Sequence, residues 1–237
     1  MRLEGTKHRR TAGLRREEVA ELAGIGVDWY IRLEQGRAVN PSPSTVEALS
    51  RALRLNSAER AHFEALTRHG GRRQFSPEVV PEPLRRLVDE LKHPAYITGR
   101  RWDVLAWNTA ACEMLTDLCR VPDEDRNILV WMLTMPDARR VFGTGWRDEA
   151  KRMIAVFRAT HDLWAGDPAF VALLERLRQG SPEFVEWWDT HDIRSATAGR
   201  KVLYHPTKGA RLFEYTSFQS NDDPSLKLSL YTSLDPI

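Results

Sequence analysis

Residues 16–33 have the sequence REEVAELAGIGVDWYIRL, and this stretch decides the fold of the N-terminal part of the chain. Ala20 occupies the position at which two crossing helices need a small side chain. Gly24 falls where the chain must leave the first helix, a position that often has a positive φ, which glycine adopts without a Cβ penalty. The apolar face consists of Val19, Ala23, Ile25, Tyr30 and Leu33. The pattern predicts a helix-turn-helix, and the alternative of an ordinary helical hairpin explains this agreement less well.

Turn and capping signals predict the neighbouring helices. Gly36 suits the end of the second helix of the motif. After a proline-containing turn, Ser44 is a candidate cap for a third helix, and the segment 56–59 (NSAE) resembles a capping box for a fourth that ends near Thr67. The N-terminal part of the chain is therefore predicted to be all-α.

Charged and aromatic residues are distributed unevenly along the 237 residues. Residues 1–73 contain 14 Lys and Arg against 9 Asp and Glu, whereas residues 74–237 contain 21 against 24, so the net charge of +2 hides a basic first part. Seven of the eight tryptophans lie in the second part. Because phosphate neutralisation requires basic residues around a helix-turn-helix, the contrast predicts two domains with different tasks.

A run of helix breakers lies between the two parts, where residues 69–73 (HGGRR) are followed by three prolines within ten residues. We therefore predict a helix-turn-helix domain over residues 1–69, a linker over 70–82 and a second domain over 83–237. The longest apolar run, 128–133, is too short to cross a membrane. With no secretory signal in view, the sequence predicts a cytoplasmic protein.

Five extended segments flank a block of helices in the second domain. Two strands, 95–98 and 102–107, precede the helices, and three more, 202–205, 211–218 and 226–232, follow them. The chain is therefore predicted to be α+β, with a five-stranded antiparallel sheet covered by helices in the second domain. This order of elements is that of a PAS-like sensor fold.

Two finer expectations concern the last strand and the cysteines. Leucines 226, 228 and 230 alternate with more polar residues, which predicts one buried face. Cys112 and Cys119 fall in a helix predicted to run from Asn108 to about Cys119, which would hold their Cα atoms roughly 10 Å apart, too far for a disulfide. Both are predicted to be reduced core residues.

Several short motifs carry a family resemblance. In the first part they are 13–20 (GLRREEVA), 29–30 (WY) and 33–37 (LEQGR), and in the second part they are 94–96 (PAY), 101–108 (RWDVLAWN), 126–127 (RN), 181–184 (SPEF) and 205–206 (HP). With these motifs the chain resembles XRE-type helix-turn-helix regulators of the MmyB-like group. The resemblance implies a transcription regulator that binds double-stranded DNA as a homodimer, with a PAS-like domain for a small, apolar, fatty-acid-like ligand.

One departure from the group concerns the start of the chain. XRE domains normally begin with a helix that packs into the domain core, but residues 1–14 offer only Leu3 and Leu14 as apolar side chains for such a helix. The first helix is thus predicted to be missing, and we expect the natural start to lie upstream of Met1. The alternative function is a small-molecule-binding protein whose truncated helix-turn-helix binds DNA weakly or not at all.

The resemblance also implies which residues contact DNA. Val27, Asp28 and Arg32 would lie on the groove-facing side of the second motif helix, with Arg32 as the base reader because arginine pairs with guanine through two hydrogen bonds. Asp28 could instead act on the helix dipole. Arg16 is expected to contact phosphate, and the basic path continues through Arg9, Arg10 and Arg15. Glu34 is expected to be structural, paired with Arg37 or another arginine of the domain.

An apolar pocket is expected between the sheet and the helices of the second domain. Its candidate lining residues are Trp107, Trp131, Trp146, Phe157, Trp164, Trp187, Phe213 and Tyr215, although aromatic residues at such spacing also form ordinary core. Arg158 and His191 are candidates for holding a ligand carboxylate, or else a surface arginine and a structural histidine.

Other classes of function find little support in the sequence. The chain has no HxxxH or CxxC motif, so no metal site is predicted, and Gly143-Thr-Gly145 lacks the strand and third glycine of a nucleotide-binding loop. No convergent set of catalytic residues is recognisable, so neither enzymatic activity nor a cofactor is predicted. Control by a protein partner, in place of a small molecule, remains an alternative.

Overall fold

The computed structural model describes residues 13–36, 41–67, 74–189 and 199–234. The chain separates into two compact units, Met1–Gly70 and Gly71–Ile237. Within the described residues, no helix is long and apolar enough to span a bilayer. The expectation of a missing first helix concerns residues 1–14, of which 1–12 lie outside the described part of the chain and 13–14 are not helical.

The first unit is helical, as predicted. Its described helices are α1 (Arg16–Ala23), α2 (Val27–Glu34), α3 (Pro43–Ala52) and α4 (Ser57–Thr67). Ala20 is completely buried, and Val19, Ala23, Tyr30 and Leu49 form the centre of the core around it.

The turn between α1 and α2 uses Gly24 as predicted. Its φ of 66° is left-handed, and the amides of Gly24 and Ile25 donate to the carbonyl oxygens of Glu21 and Ala20 at 3.1 and 3.0 Å. These bonds close the end of α1 and redirect the chain into α2. Gly36, with a φ of 65°, follows the end of α2 in the same conformation.

The start of α3 differs from the prediction by two residues. Ser42, not Ser44, caps the helix, because its Oγ accepts a hydrogen bond from the Thr45 amide at 3.2 Å. Pro43 then takes the first helical position, where its missing N–H costs nothing and its fixed φ suits the helix. The capping box before α4 is confirmed: the Asn56 amide donates to the Glu59 carboxylate, and the Glu59 amide donates to Asn56 Oδ1.

The second unit is α+β. Its described α-helices are α5 (Glu82–Glu90), α6 (Thr109–Met114), α7 (Ile128–Thr134), α8 (Pro136–Phe142), α9 (Trp146–Asp162), α10 (Pro168–Gly180) and α11 (Pro182–Trp188). Its strands are β1 (Ala95–Thr98), β2 (Val104–Trp107), β3 (Gly199–His205), β4 (Gly209–Gln219) and β5 (Lys227–Ser233).

The five strands form one antiparallel sheet in the order β2-β1-β5-β4-β3, so the predicted sheet is confirmed. The central pairing joins β1 to β5, with Ala95 opposite Leu230. The second strand is shorter than predicted because Trp102 has a φ of 69°, which places it in the turn before β2.

Both faces of the sheet are covered, which corrects the expectation for β5. Ser229 and Tyr231 are 3% and 4% exposed and lie on the face that packs against the main helical core. Leu228 and Leu230 lie on the opposite face, half-buried, beside the smaller cluster that includes Val88 of α5. The alternation is real, but both faces are packed: Leu226, just before the strand, is 1% exposed on the leucine face, and Ser229 and Tyr231 are buried on the other.

Two buried asparagines join the sheet to the helices. Asn108 caps α6 as predicted, with Oδ1 accepting from the Ala111 and Ala95 amides and Nδ2 donating to the Leu91 and His93 carbonyl oxygens. Asn127 plays the same part before α7, where Oδ1 accepts from two helical amides and Nδ2 donates to the Arg101 carbonyl at 2.8 Å and to Asp103 Oδ1 at 3.0 Å. Each side-chain amide therefore makes four hydrogen bonds, two as acceptor and two as donor.

Helix α6 ends at Met114, which corrects the prediction that it reaches Cys119. Leu115 and Leu118 turn into the core, and the Arg126 guanidinium donates to the carbonyl oxygens of Leu118 and Val121. These tertiary contacts replace further helical turns. Cys119 consequently lies outside the helix and is exposed, so the prediction that both cysteines are core residues is wrong for Cys119. The predicted separation along one helix is wrong as well, because the two Sγ atoms lie within 4.8 Å of each other.

Candidate functional site

The exposed side of α2 contains two of its three predicted DNA contacts. Asp28 and Arg32 are exposed and, four residues apart, lie on one side of the helix. Val27 is half-buried and packs against the core of the first unit. The free surface of α2 is therefore polar, with Arg32 as its long basic side chain.

Glu34 was predicted to pair with Arg37 or another arginine of the domain, and in the structure it pairs with Arg16. Arg16 Nε donates to Glu34 Oε2 at 2.5 Å, which ties the first residue of α1 to the last of α2. This hydrogen bond is the main reason that the pKa of Glu34 lies below its ordinary value. Burial, followed by a hydrogen bond with Glu34, raises the pKa of Tyr30. Glu34 thus links the start of α1 to the end of α2, while Arg37 lies outside the described residues.

The basic path before α2 is only partly visible. Arg15 and Arg16 are exposed at the start of α1, beside the polar side of the motif. Arg9 and Arg10 lie outside the described residues.

Most of the aromatic residues predicted to line a pocket pack together in the core of the second unit. Trp107 is half-buried, and the buried ones are Trp131, Trp146, Phe157, Trp164, Trp187, Phe213 and Tyr215. Their rings contact one another or their neighbours, as in the Trp146–Trp187 pair with centroids 5.8 Å apart. Among them, Tyr215 lines the charged cavity described below, and Trp131 lines a separate void of about 10 Å³.

Arg158 is buried and not on the surface. Its guanidinium donates to the Trp188 carbonyl oxygen and lies 4.1 Å from the centre of the Trp188 ring. These contacts hold the end of α11 against α9. His191, the other candidate for a ligand carboxylate, lies outside the described residues.

A cluster of charged side chains lies between α9 and β3. Glu149 Oε1 accepts hydrogen bonds from Lys201 Nζ at 2.6 Å and from Arg152 Nη2 at 2.5 Å. The three side chains are 12–22% exposed. Burial opposes ionisation of Glu149, yet Arg152 and Lys201 together hold its pKa below the ordinary value. Burial lowers the pKa of Lys201. Two cations and one anion leave this cluster with one excess positive charge.

Three buried tyrosines surround the cluster on the sheet side. Lys201 Nζ lies 4.2 Å from the centre of the Tyr215 ring and 5.7 Å from that of Tyr231. Tyr215 Oη and Ser229 Oγ are 3.2 Å apart, within hydrogen-bond distance. Burial raises the pKa of both Tyr96 and Tyr231 far above the ordinary range. Tyr96 and Tyr231 therefore stay neutral, and both line the cavity beside the charged cluster.

Glu149 and Arg152 separate two spaces. Inside is a cavity of about 40 Å³, lined also by Tyr96, Trp102 and Tyr231. Outside is a recess of about 430 Å³, lined by residues that include Lys201 and Tyr204. The cavity holds about one water molecule, whereas the recess has the size of a ligand site.

Sequence reasoning missed Glu149, Arg152 and Lys201. Glu149 lies three residues after the buried Trp146 and four before the buried Met153, on or beside the buried face of α9. This spacing could have indicated that its carboxylate is partly buried. Lys201 carried no comparable signal because its strand is far from α9 in the chain.

The comparisons with known proteins agree with both units. A family model described as the MmyB-like transcription regulator ligand binding domain matches residues 80–235. A second model, described as a helix-turn-helix domain, matches residues 7–63. A comparison with curated proteins finds no match.

Proposed function

Because the chain belongs to the family of MmyB-like transcription regulators, we propose that its C-terminal unit senses a small, largely apolar molecule with an anionic head group. Binding of this molecule changes how the helix-turn-helix engages DNA. The observation that carries the proposal is the buried cluster of Glu149, Arg152 and Lys201, which has one excess positive charge beside a recess of ligand size.

The charges favour an anion over a neutral molecule. Removing charged groups from water is costly unless each is paired, and the single carboxylate of Glu149 is shared between two cations. A ligand carboxylate at Arg152 and Lys201 would complete the pairing. The surrounding aromatic residues supply the apolar contacts for the rest of the molecule.

Ligand entry requires a local rearrangement in this proposal. A cavity of about 40 Å³ is too small for a ligand of several carbon atoms. The head group would therefore bind from the recess, and its tail would displace side chains such as Tyr204 at the rim or Tyr96 inside. Such a displacement at β1 and β3 gives the ligand a way to change the sheet.

A second recess offers another place for an apolar molecule. It has a volume of about 350 Å³ and lies between α5 and the leucine face of the sheet, lined by Leu87, Phe218 and Leu228 among others. Its lining includes no charged side chain. We place the ligand at the charged cluster because polar groups orient a ligand and the leucine recess has few of them.

The test uses the full-length protein and two probes of equal chain length, a fluorescent fatty acid and the corresponding alcohol. We expect the acid to bind at least about tenfold more tightly, and we expect Lys201→Met to remove this preference. Lys208→Met, which alters an exposed lysine after β3, is the matched control. Equal affinity for acid and alcohol in the wild-type protein would contradict the charged site and favour the leucine recess.

For the DNA-binding unit, we propose an XRE-type homodimer that binds paired half-sites, in the cytoplasm, with Arg32 reading a base in the major groove. A PAS-like sensor is supported by the strand order 2-1-5-4-3. We expect Arg32→Ala to reduce the preference for the natural site over scrambled DNA about tenfold, measured by fluorescence anisotropy on DNA from the protein's own upstream region. Wild-type selectivity in the variant would exclude Arg32 as the reader.

The alternative is that the helix-turn-helix binds DNA weakly or not at all. Adding the fatty-acid probe to the same anisotropy titration separates the two cases. A regulator changes its DNA affinity when the probe binds, whereas a pure small-molecule binder shows probe binding without selective, salt-sensitive binding to DNA.

A further inference from the structure

The two cysteines of the chain meet one aspartate on the surface of the second unit. Cys112 Sγ, Cys119 Sγ and a carboxylate oxygen of Asp117 all lie within 4.8 Å of one another. Cys112 is half-buried on α6, and the other two side chains are exposed on the segment that follows it. The sequence spacing did not predict this group, because the three side chains come together only when α6 ends at Met114 and the chain folds back.

The segment that presents these donors is fixed from both sides. Leu115 and Leu118, which flank Asp117, are 2% and 4% exposed. The Arg126 guanidinium holds the carbonyl oxygens of Leu118 and Val121 at 3.1 and 2.9 Å. The donors are therefore brought together by packing and hydrogen bonds of the backbone around them, and little chain entropy is lost when they bind a common ligand.

We propose that Cys112, Asp117 and Cys119 form a binding site for a single zinc-class divalent cation. Two sulfur donors and one carboxylate oxygen suit Zn²⁺, which is borderline soft and accepts both kinds of ligand. A fourth position remains for water, as in zinc sites with three protein ligands.

The distances are compatible with such a site after small side-chain rotations. Zinc lies about 2.3 Å from a thiolate sulfur and about 2.0–2.2 Å from a carboxylate oxygen, so tetrahedral ligand atoms are about 3.5–3.8 Å apart. The one ion pair that Asp117 makes within the described residues, to Arg120 at 3.1 Å, does not compete strongly. Arg120 is 88% exposed, and a surface ion pair of this kind contributes little.

The carboxylate is the feature that favours a cation over a disulfide. A disulfide would use the two sulfur atoms and would not involve the Asp117 carboxylate, which keeps its exposed ion pair to Arg120. A divalent cation uses all three donors. Its positive charge compensates the negative charges of the two thiolates and the carboxylate that bind it. Binding would fasten Cys119 to α6 and so close the segment between them.

The test is metal binding to the reduced, untagged, full-length protein under anaerobic conditions. We expect one Co²⁺ per chain, with sulfur-to-cobalt charge-transfer bands that disappear when Zn²⁺ displaces it. Because the chain has two cysteines, these bands can come only from this pair. Competition with a chromophoric chelator then gives the Zn²⁺ affinity.

Three substitutions and one control locate the site. Cys112→Ser and Cys119→Ser should each abolish the charge-transfer bands, and Asp117→Asn should weaken Zn²⁺ binding at least about tenfold. Glu124→Gln, which alters an exposed carboxylate a few residues later, should leave the affinity unchanged. Since Cys119 is exposed, its variant should keep the wild-type circular dichroism spectrum even if Cys112→Ser disturbs packing.

Two results would overturn the proposal. One is the absence of sulfur-to-cobalt bands in the reduced wild-type protein, including the case in which the cysteines readily form a disulfide but bind no metal. The other is a Zn²⁺ affinity that stays within about twofold of wild type in the Cys119→Ser variant, because the ion would then be held elsewhere.

Discussion

Asn108 shows how much of the second unit depends on a single amide. It is 3% exposed, and its side chain makes hydrogen bonds with two backbone amides and two carbonyl oxygens. We expect Asn108→Ala to lower the free energy of unfolding by about 3 kcal/mol, because several buried groups lose their partners. Denaturant unfolding measures the change, and the exposed Asn221→Ala should stay within about 0.5 kcal/mol of wild type.

A conservative substitution at the same position tests the donors separately. Asn108→Asp keeps the acceptor oxygen but replaces the donor nitrogen with a second oxygen, which faces the Leu91 and His93 carbonyl oxygens. The loss of stability should be at least as large as that of Asn108→Ala. A stability near that of the wild type would show that the two donated bonds contribute little.

The Arg16–Glu34 pair separates a role in DNA binding from a role in folding. We expect Arg16→Ala to weaken binding to specific and scrambled DNA alike and to reduce the salt slope by about one, because one phosphate contact is lost. Glu34→Gln removes the charge that Arg16 pairs with but keeps the arginine. This control should bind DNA at least as tightly as wild type; an equal loss in both variants would mean that Arg16 acts only through the helix angle.

The turn between α1 and α2 is the element on which the first unit depends. An added Cβ at Gly24 would meet no atom within 4 Å, so substitution there tests backbone conformation alone. We expect Gly24→Ala to cost about 1 kcal/mol and Gly24→Asn clearly less, because asparagine tolerates left-handed φ values. Thermal unfolding of the two variants measures this order. Equal losses would point to a cause other than φ.

The charged cluster joins α9 to β3 and should make stability depend on pH. The pKa of Glu149 lies below its ordinary value of 4.5, so its ionised form stabilises the folded protein above that pH, and this contribution is lost as the pH falls through the lowered pKa. We expect Glu149→Gln to be less stable than wild type at neutral pH, with a difference that shrinks in acid. Glu214→Gln on the exposed side of β4 is the matched control. A difference that does not vary with pH would contradict this account.

At the level of elements, the helix ends that depend on residues close in sequence could be predicted, whereas those that depend on tertiary contacts could not. Glycine and capping residues gave the ends of α1, α2 and α4, because those ends are set by bonds between residues close in sequence. The end of α6 could not be predicted, since it depends on Arg126 holding the Leu118 carbonyl. For the same reason the sequence did not place Cys119 beside Cys112.

At the level of the whole molecule, the sequence predicted the class of fold and the number of strands. It did not predict the charged cluster, because Lys201 contacts Glu149 only when β3 lies against α9. Of the predicted aromatic residues, Tyr215 lines that site, whereas most of the others form the core of the second unit. Residue types indicate which side chains are buried. Which charged residues from distant parts of the chain form a pair can be read only from the folded structure.

The central position of β5 also has a consequence for how the molecule folds. Its partner β1 stands near the beginning of the second unit, so that Ala95 meets Leu230 only after the intervening chain has closed a very long loop. Loop closure of this length is slow, whereas α1–α4 are built from neighbours in sequence. In pulse-labelled hydrogen exchange during refolding, amides of α1–α3 should be protected before those of β1. During synthesis, the first unit can therefore fold before β5, the middle strand of the sheet, has been made.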